Sequence, residues 1–310
     1  MANKTPFKLG IIGAGVMGLN HLKVAASSPN VIIVGLYDID KKRAAELAVE
    51  YNIKSYDDIK SLTKDADGIT VAAPSFLHYD IGKKIISEGC HLLIEKPIAL
   101  NAVDAEKLTL LAADNNVTLL AGHIEQFNPT FRVLKELISD DEIFDGHFSR
   151  LATQAGRDKS ATIVFDLMIH DLELGISLGG NVKEITASGH KVKHGFIDHA
   201  SAALSFENGT VFKFTASAVS QMRDRTVTLF GKKHTYTADL GNFTITVYTK
   251  DEEPKIIEVE RQNALLGEIE YFVSCAKDDT DVTRSVNNAV NAIKSAVKIE
   301  EIIENGVNKT

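Results

Sequence analysis

The chain has 310 residues, 44% of them hydrophobic and 25% charged, with a formal net charge of −8. That length exceeds one ordinary core and suits two domains; the acidic balance argues against nucleic acid or an anionic membrane surface as the main partner. The start of the chain has no apolar signal core, and no stretch approaches the roughly 18 apolar residues of a membrane span. Cys90 and Cys275 show no metal or redox spacing, so a cytoplasmic protein is expected.

The first predicted element is the apolar run FKLGII, which leads into Gly13-Ala14-Gly15-Val16-Met17-Gly18. A second apolar run, VIIVGLY, ends at Asp38, about 20 residues past Gly18, the spacing of a dinucleotide-binding fingerprint. Each residue type has a mechanical reason. Gly13 permits the turn off the strand, Gly15 lets backbone N–H groups approach a pyrophosphate, and Gly18 lets the helix pack closely. Val16 and Met17 open that helix, whose N-terminus offers unpaired N–H groups and a positive dipole end. The Asp38 carboxylate suits the free ribose diol of NAD and would repel the 2′-phosphate of NADP, although Lys41, Lys42 and Arg43 follow it.

Further strands are expected at 68–73, 91–94 and 117–121, with helices at 17–27, 41–51, 81–88 and 102–115. Near-continuous apolar strands alternating with helices predict a doubly wound parallel sheet, a Rossmann fold, over residues 1–122. Ligands sit at the carboxyl ends of such strands, which directs attention to Ala73 and Pro74, to Glu95-Lys96-Pro97 and to Gly122-His123. Beyond residue 122 the pattern changes. Helices are expected at 130–139 and 165–178, and strands dominate 182–260. A hairpin is expected around Asn208-Gly209, and a terminal helix over 286–303. Residues 123–310 therefore read as an α+β domain with a large, mainly antiparallel open sheet.

Glu95-Lys96-Pro97 closes an apolar strand. A lysine held there can donate hydrogen bonds to a substrate hydroxyl and lower its pKa; the plainer reading is a solvated charged pair. Asp166 and His170 stand four residues apart, so they share a helix face. Such a histidine can accept a proton near neutral pH while the aspartate orients it; the plainer reading is a surface arrangement. His190, His194 and His199 lie in a strand-and-loop region with no helix to align them and read as surface histidines. No metal site is expected.

Together, Gly13 to Gly18, Ala73-Pro74-Ser75 with His78, Glu95-Lys96-Pro97 and Asp166 with His170-Asp171 resemble the glucose–fructose oxidoreductase / inositol dehydrogenase / MocA family over nearly the whole chain. The resemblance implies an NAD(P)-dependent enzyme that oxidises a secondary hydroxyl of a sugar or nucleotide sugar. Lys96, Asp166 and His170 would be catalytic, and His78 and Glu95 would join Gly13, Gly15, Val16, Met17, Gly18, Asp38, Ala73, Pro74 and Lys96 around the cofactor. It also implies a homodimer or homotetramer formed through the open sheet. The segment Gly122 to Pro129 is most similar to the branch of UDP-N-acetylglucosamine 3-dehydrogenases, which suggests His123, Glu125, Asn128 and Arg157 as substrate residues. The loop from Arg157 to Thr162 departs from that branch in lacking its usual glycines. Two other roles known in the family stay open at this point: an NAD-dependent glycosidase and a dinucleotide-sensing regulator without catalysis.

Overall fold

The computed structural model describes residues 5–153, 162–193 and 195–307. Its first unit runs β1 (Phe7–Ile12), α1 (Val16–Ala25), β2 (Val31–Tyr37), α2 (Lys41–Tyr51), β3 (Lys54–Ser55), α3 (Ile59–Asp65), β4 (Gly68–Val71), α4 (His78–Ser87), β5 (His91–Glu95), α5 (Ala102–Asp114) and β6 (Leu119–Gly122). The strands are all parallel, in the order β3-β2-β1-β4-β5-β6. Chain direction across the sheet reverses between β1 and β4, so the crevice for a ligand opens beside the turn that follows β1. Side-chain caps fix several helix starts: Asp40 accepts from Arg43 N–H, Asp58 from Ser61 N–H and Asn101 from Asp104 N–H.

The second unit takes up the chain at Glu125. It contains α6 (Pro129–Leu137), β7 (Ile143–Leu151), a π-helical turn at Val164–Met168 and α7 (Ile169–Gly179). Then come β8 (Val182–His190), β9 (His199–Phe206), β10 (Val211–Ser217), β11 (Asp224–Gly231), β12 (His234–Asp239), β13 (Thr244–Thr249) and β14 (Lys255–Glu258). The sheet order is β14-β13-β12-β11-β7-β10-β9-β8, antiparallel throughout except for the β10–β7 pair. The expected Asn208-Gly209 hairpin joins β9 to β10, with Gly209 at φ +89°.

On its inner face the second sheet carries a ladder of aromatic rings. Phe148 stacks on Phe214 at 5.0 Å, and Phe212 meets both Phe148 and Phe206 edge-on. Helix α7 lies against this ladder because Gly175 has no side chain: a Cβ there would come within 2.6 Å of the Phe214 ring. The outer face is polar, with His147 bonded to Thr215, Lys213 paired with Asp145, and Thr228 opposite Thr237.

The chain then re-enters the first unit. Residues Asn263–Val290 belong with the parallel sheet, where a contiguous division after residue 122 would assign them to the second domain. They hold α8 (Ala264–Asp278) and the beginning of α9 (Thr283–Val307), whose remainder belongs to the second unit. The physical reason is burial. Leu265, Ile269, Phe272 and Val273 of α8 complete one core cluster with Phe7, Leu9, Leu93 and Leu120. Phe7 and Phe272 meet edge-on at 5.8 Å. A second cluster packs Ile11, Leu22 and Leu36 against Ala44 and Leu47. No helix among the described residues is long and apolar enough to cross a membrane.

Candidate functional site

The turn after β1 is shaped for a dinucleotide. Gly13 has φ +105°, and a Cβ there would lie 2.5 Å from the Ala72 carbonyl oxygen. At Gly18 a Cβ would lie 1.8 Å from the Gly13 carbonyl oxygen, so that glycine is demanded by the protein itself. Gly15 is different, because a Cβ there would meet no protein atom within 4 Å. Its missing side chain leaves open space against backbone, which suits a pyrophosphate. Helix α1 starts at this point with no side chain capping it, with exposed Val16 and half-buried Met17 in its first turn.

Asp38, at the end of β2, stands beside the same turn. Its Oδ2 accepts from Ala14 N–H at 2.5 Å and its Oδ1 from Asp40 N–H at 2.7 Å. A carboxylate oxygen has a second lone pair, so both remain able to accept from ribose hydroxyls. Lys41, which could have drawn a 2′-phosphate, is held by the Tyr56 and Asp57 carbonyls and lies 4.2 Å over the Tyr37 ring. The glycines, α1 and Asp38 therefore fit NAD.

Ala73 and Pro74 follow β4 at the same sheet edge, and the Lys96–Pro97 bond after β5 is cis. His78 is buried, with Nδ1 2.7 Å from the Pro97 carbonyl oxygen and Nε2 2.8 Å from that of Ala73. It thus ties the two turns to each other. Lys96 is half-buried. His123, just past β6, is buried with neither ring nitrogen hydrogen-bonded. Burial, helped by the positive charge of Lys96, pushes its pKa down to about 3, so this imidazole is neutral at physiological pH.

Glu95 is committed to a cluster that the sequence pattern did not announce. His21 Nε2 lies 2.7 Å from Glu95 Oε1, Lys96 N–H donates to Glu95 Oε2 at 3.3 Å, and buried Glu268 of α8 completes the group. The donor atoms of His21, Glu95 and Glu268 lie within 4.8 Å of one another. A His–Glu separation of 2.7 Å is a hydrogen bond, so a proton occupies that line. His21 sits three residues past Gly18 and Glu268 five past the cap Asn263, positions that only the re-entry of α8 brings together.

In the second unit, Asp166 lies in the π-helical turn and His170 in the first turn of α7, both half-buried. Asp166 N–H donates to the Thr162 carbonyl at 2.8 Å. The neighbouring Asp171 is buried and takes a two-pronged grip from Arg150, from Nε at 2.9 Å and from Nη2 at 2.7 Å. Arg150 Nη1 also donates to Glu125 at 2.8 Å. Burial works against the Arg150 charge, but the two carboxylates outweigh it and raise the guanidinium pKa. Burial likewise pushes Glu125 upward, and Arg150, Arg225 and Asn128 together hold it below the ordinary range. Asn128 Nδ2 donates to Glu125 and to the Leu240 carbonyl, and Asn128 Oδ1 caps Thr130 N–H. Glu125 and Asn128 are thus occupied by protein partners. Gln126 donates to buried Glu173 at 2.8 Å, and burial raises the pKa of that acid to about 8.

Arg157 and His194 lie outside the described residues. His190 and His199 face each other across the β8–β9 pair with rings 6.2 Å apart.

A model of the oxidoreductase family with an NAD-binding Rossmann fold, GFO/IDH/MocA, matches residues 7–123, and the model of the GFO/IDH/MocA C-terminal domain matches 132–237. The UDP-N-acetylglucosamine 3-dehydrogenase of Acidithiobacillus ferrooxidans is 28% identical over 86% of this chain and 88% of its own length. The myo-inositol 2-dehydrogenase of Thermotoga maritima is 24% identical over 96% of this chain and 99% of its own length. A solved structure of the A. ferrooxidans UDP-N-acetylglucosamine 3-dehydrogenase superposes with a TM-score of 0.91 at 25% identity. It covers 97% of this chain and 99% of the other.

Proposed function

Because the chain belongs to the GFO/IDH/MocA oxidoreductase family, we propose that it oxidises a secondary hydroxyl of a nucleotide-linked amino sugar, with UDP-N-acetylglucosamine as the first candidate. At the coarser level it is an NAD-dependent dehydrogenase acting on sugar hydroxyls. The observation that carries the finer reading is the likeness to the A. ferrooxidans enzyme, which extends through both units.

NAD, when bound, supplies the acceptor for a hydride. The Gly13–Gly18 turn and α1 hold its pyrophosphate, and Asp38 holds its adenosine ribose. Lys96 donates a hydrogen bond to the substrate hydroxyl and makes that oxygen more acidic. His170 accepts the hydroxyl proton, and Asp166 orients the imidazole or the sugar. Arg132 and Lys135 are exposed on α6 and, with Arg157, are the cations assigned to a diphosphate. The polar outer face of the second sheet is assigned to contact between copies of the chain, giving a homodimer or homotetramer.

The test is turnover of NAD with UDP-N-acetylglucosamine, other UDP-sugars, myo-inositol and free hexoses, followed as NADH formation. A keto-sugar nucleotide should appear together with NADH. Efficient turnover of inositol or hexoses, with UDP-sugars neither bound nor oxidised, would overturn the substrate assignment.

A further inference from the structure

We propose that Arg150 is a positioning residue for His170, acting through the carboxylate of Asp171, and that Glu125 and Asn128 brace Arg150. The inference rests on the assignment of His170 as the proton acceptor.

Arg150 lies near the end of β7, on the same face as Phe148 and only 4% exposed. A guanidinium presents its N–H groups in a rigid plane, so a two-pronged bond to a carboxylate fixes direction as well as distance. Both Asp171 oxygens are taken by this fork. Asp171 directly follows His170 in the first turn of α7. Successive residues of an α-helix point about 100° apart, because a turn takes 3.6 residues. Locking Asp171 in one plane therefore constrains the start of α7 about its axis, and with it the direction in which His170 leaves the helix.

Buried Ile169, Leu172 and Ile176 and the Gln126–Glu173 hydrogen bond also hold α7, and the fork adds a directional bond at the residue next to His170. The preceding turn, Val164–Met168, is π-helical, a wider winding that interrupts α-helical register. The close approach of Gly175 to Phe214 sets how near α7 lies to the sheet. Arg150 is in turn anchored from the opposite side. Its third nitrogen reaches Glu125, whose other oxygen accepts from Asn128, which is tied to the Leu240 carbonyl. Stability alone is a poor reason for this arrangement, since well-packed apolar residues commonly match or exceed a buried ion network. The fork adds a bond of fixed direction at the residue beside His170.

The test uses the NAD-loaded protein with 13C label at histidine Cε1, the His170 signal being identified by its loss in His170→Ala. Arg150→Lys keeps the charge and loses the fork. It should melt close to wild type, bind NAD within about twofold of wild type, and shift or broaden the His170 signal. With UDP-N-acetylglucosamine its kcat should fall about 10- to 100-fold with little change in KM, the scale expected for a misplaced reacting group. In an Arg150→Lys/His170→Ala double variant the first substitution should cost almost nothing further, because its effect passes through His170. Asp171→Asn, which keeps the shape and removes the charge, should disturb the same signal. A folded Arg150→Lys with an unchanged His170 signal overturns the proposal, as do multiplicative losses in the double variant. If neither Arg150→Lys nor Asp171→Asn folds, the fork is a stability element and the proposal fails. If wild type does not oxidise UDP-N-acetylglucosamine, the substrate assignment fails, while the NMR comparison still decides the role of Arg150.

Discussion

At the scale of single residues, buried charge sets the most direct expectations. Glu173 holds its proton up to about pH 8, against 4.5 for an ordinary glutamate, because burial penalises the carboxylate. Between those values the folded chain binds a proton that the unfolded chain has released. The contribution is complete below about pH 4.5 and is lost as pH rises through about 8. Glu173→Gln copies the protonated acid, so it should flatten the fall of Tm over that window; an unchanged slope would show that the acid is not the cause. For the chemistry, Lys96→Ala and His170→Ala should each lower turnover by about 10²–10⁴-fold. Both should still bind NAD in calorimetry, and the double variant should lose less than the product of the two. Near-wild-type turnover in His170→Ala would remove it as the base. Gly13, Gly15, Gly18 and Asp38 are legible in sequence because one short segment contains the whole pattern, and the structure brings Asp38 onto Ala14. The pairing of Arg150 with Asp171 and Glu125 is not legible, because a lone arginine in a strand says nothing about carboxylates 21 and 25 residues away.

Elements differ in how openly they declare themselves. Helix α2 is met at its expected bounds, because Asp40 caps it and Asn52 ends it in the left-handed region. Strand β7 passes unseen in the sequence reading: IFDGHFSRL contains a glycine and several polar residues, and Arg150 occupies an inward position. It nevertheless lies inside the second sheet, between β11 and β10. Helix α8 is likewise absent from the sequence reading, although Asn263 as a cap and Leu265, Ile269, Phe272 and Val273 at helical spacing carry its signal. Its place in the first unit depends on a packing partner some 250 residues away, which no local pattern can convey. The α1 turn gives a test that separates fold from function. Gly15→Ala adds a methyl to open space, so Tm should hold while NAD affinity falls. Gly18→Ala drives a methyl into the Gly13 carbonyl, so both Tm and affinity should fall. Equal loss of Tm in the two variants would mean that the Gly15 space is not a ligand cradle.

At the scale of the whole molecule, the first unit is discontinuous: it is built from the chain up to Ile124 and from Asn263–Val290. A fragment ending at Ile124 leaves Phe7, Leu9, Leu93 and Leu120 without the α8 side chains that cover them. It should bind hydrophobic dyes and melt without cooperativity. Joining residues 263–290 to it through a flexible linker should restore a sharp transition and NAD binding. Cooperative melting and NAD binding by the 1–124 fragment alone would refute this. The same discontinuity governs events at the ribosome. Synthesis proceeds at about 5–20 residues per second, so the interval between Ile124 and Val273 lasts roughly 7–30 s. Throughout it, the earliest part of the chain waits with an uncovered apolar surface while the sheet-rich middle segment is being made. The part of the chain translated first thus cannot close until α8 has been made, and during that interval its exposed strands are a target for chaperones.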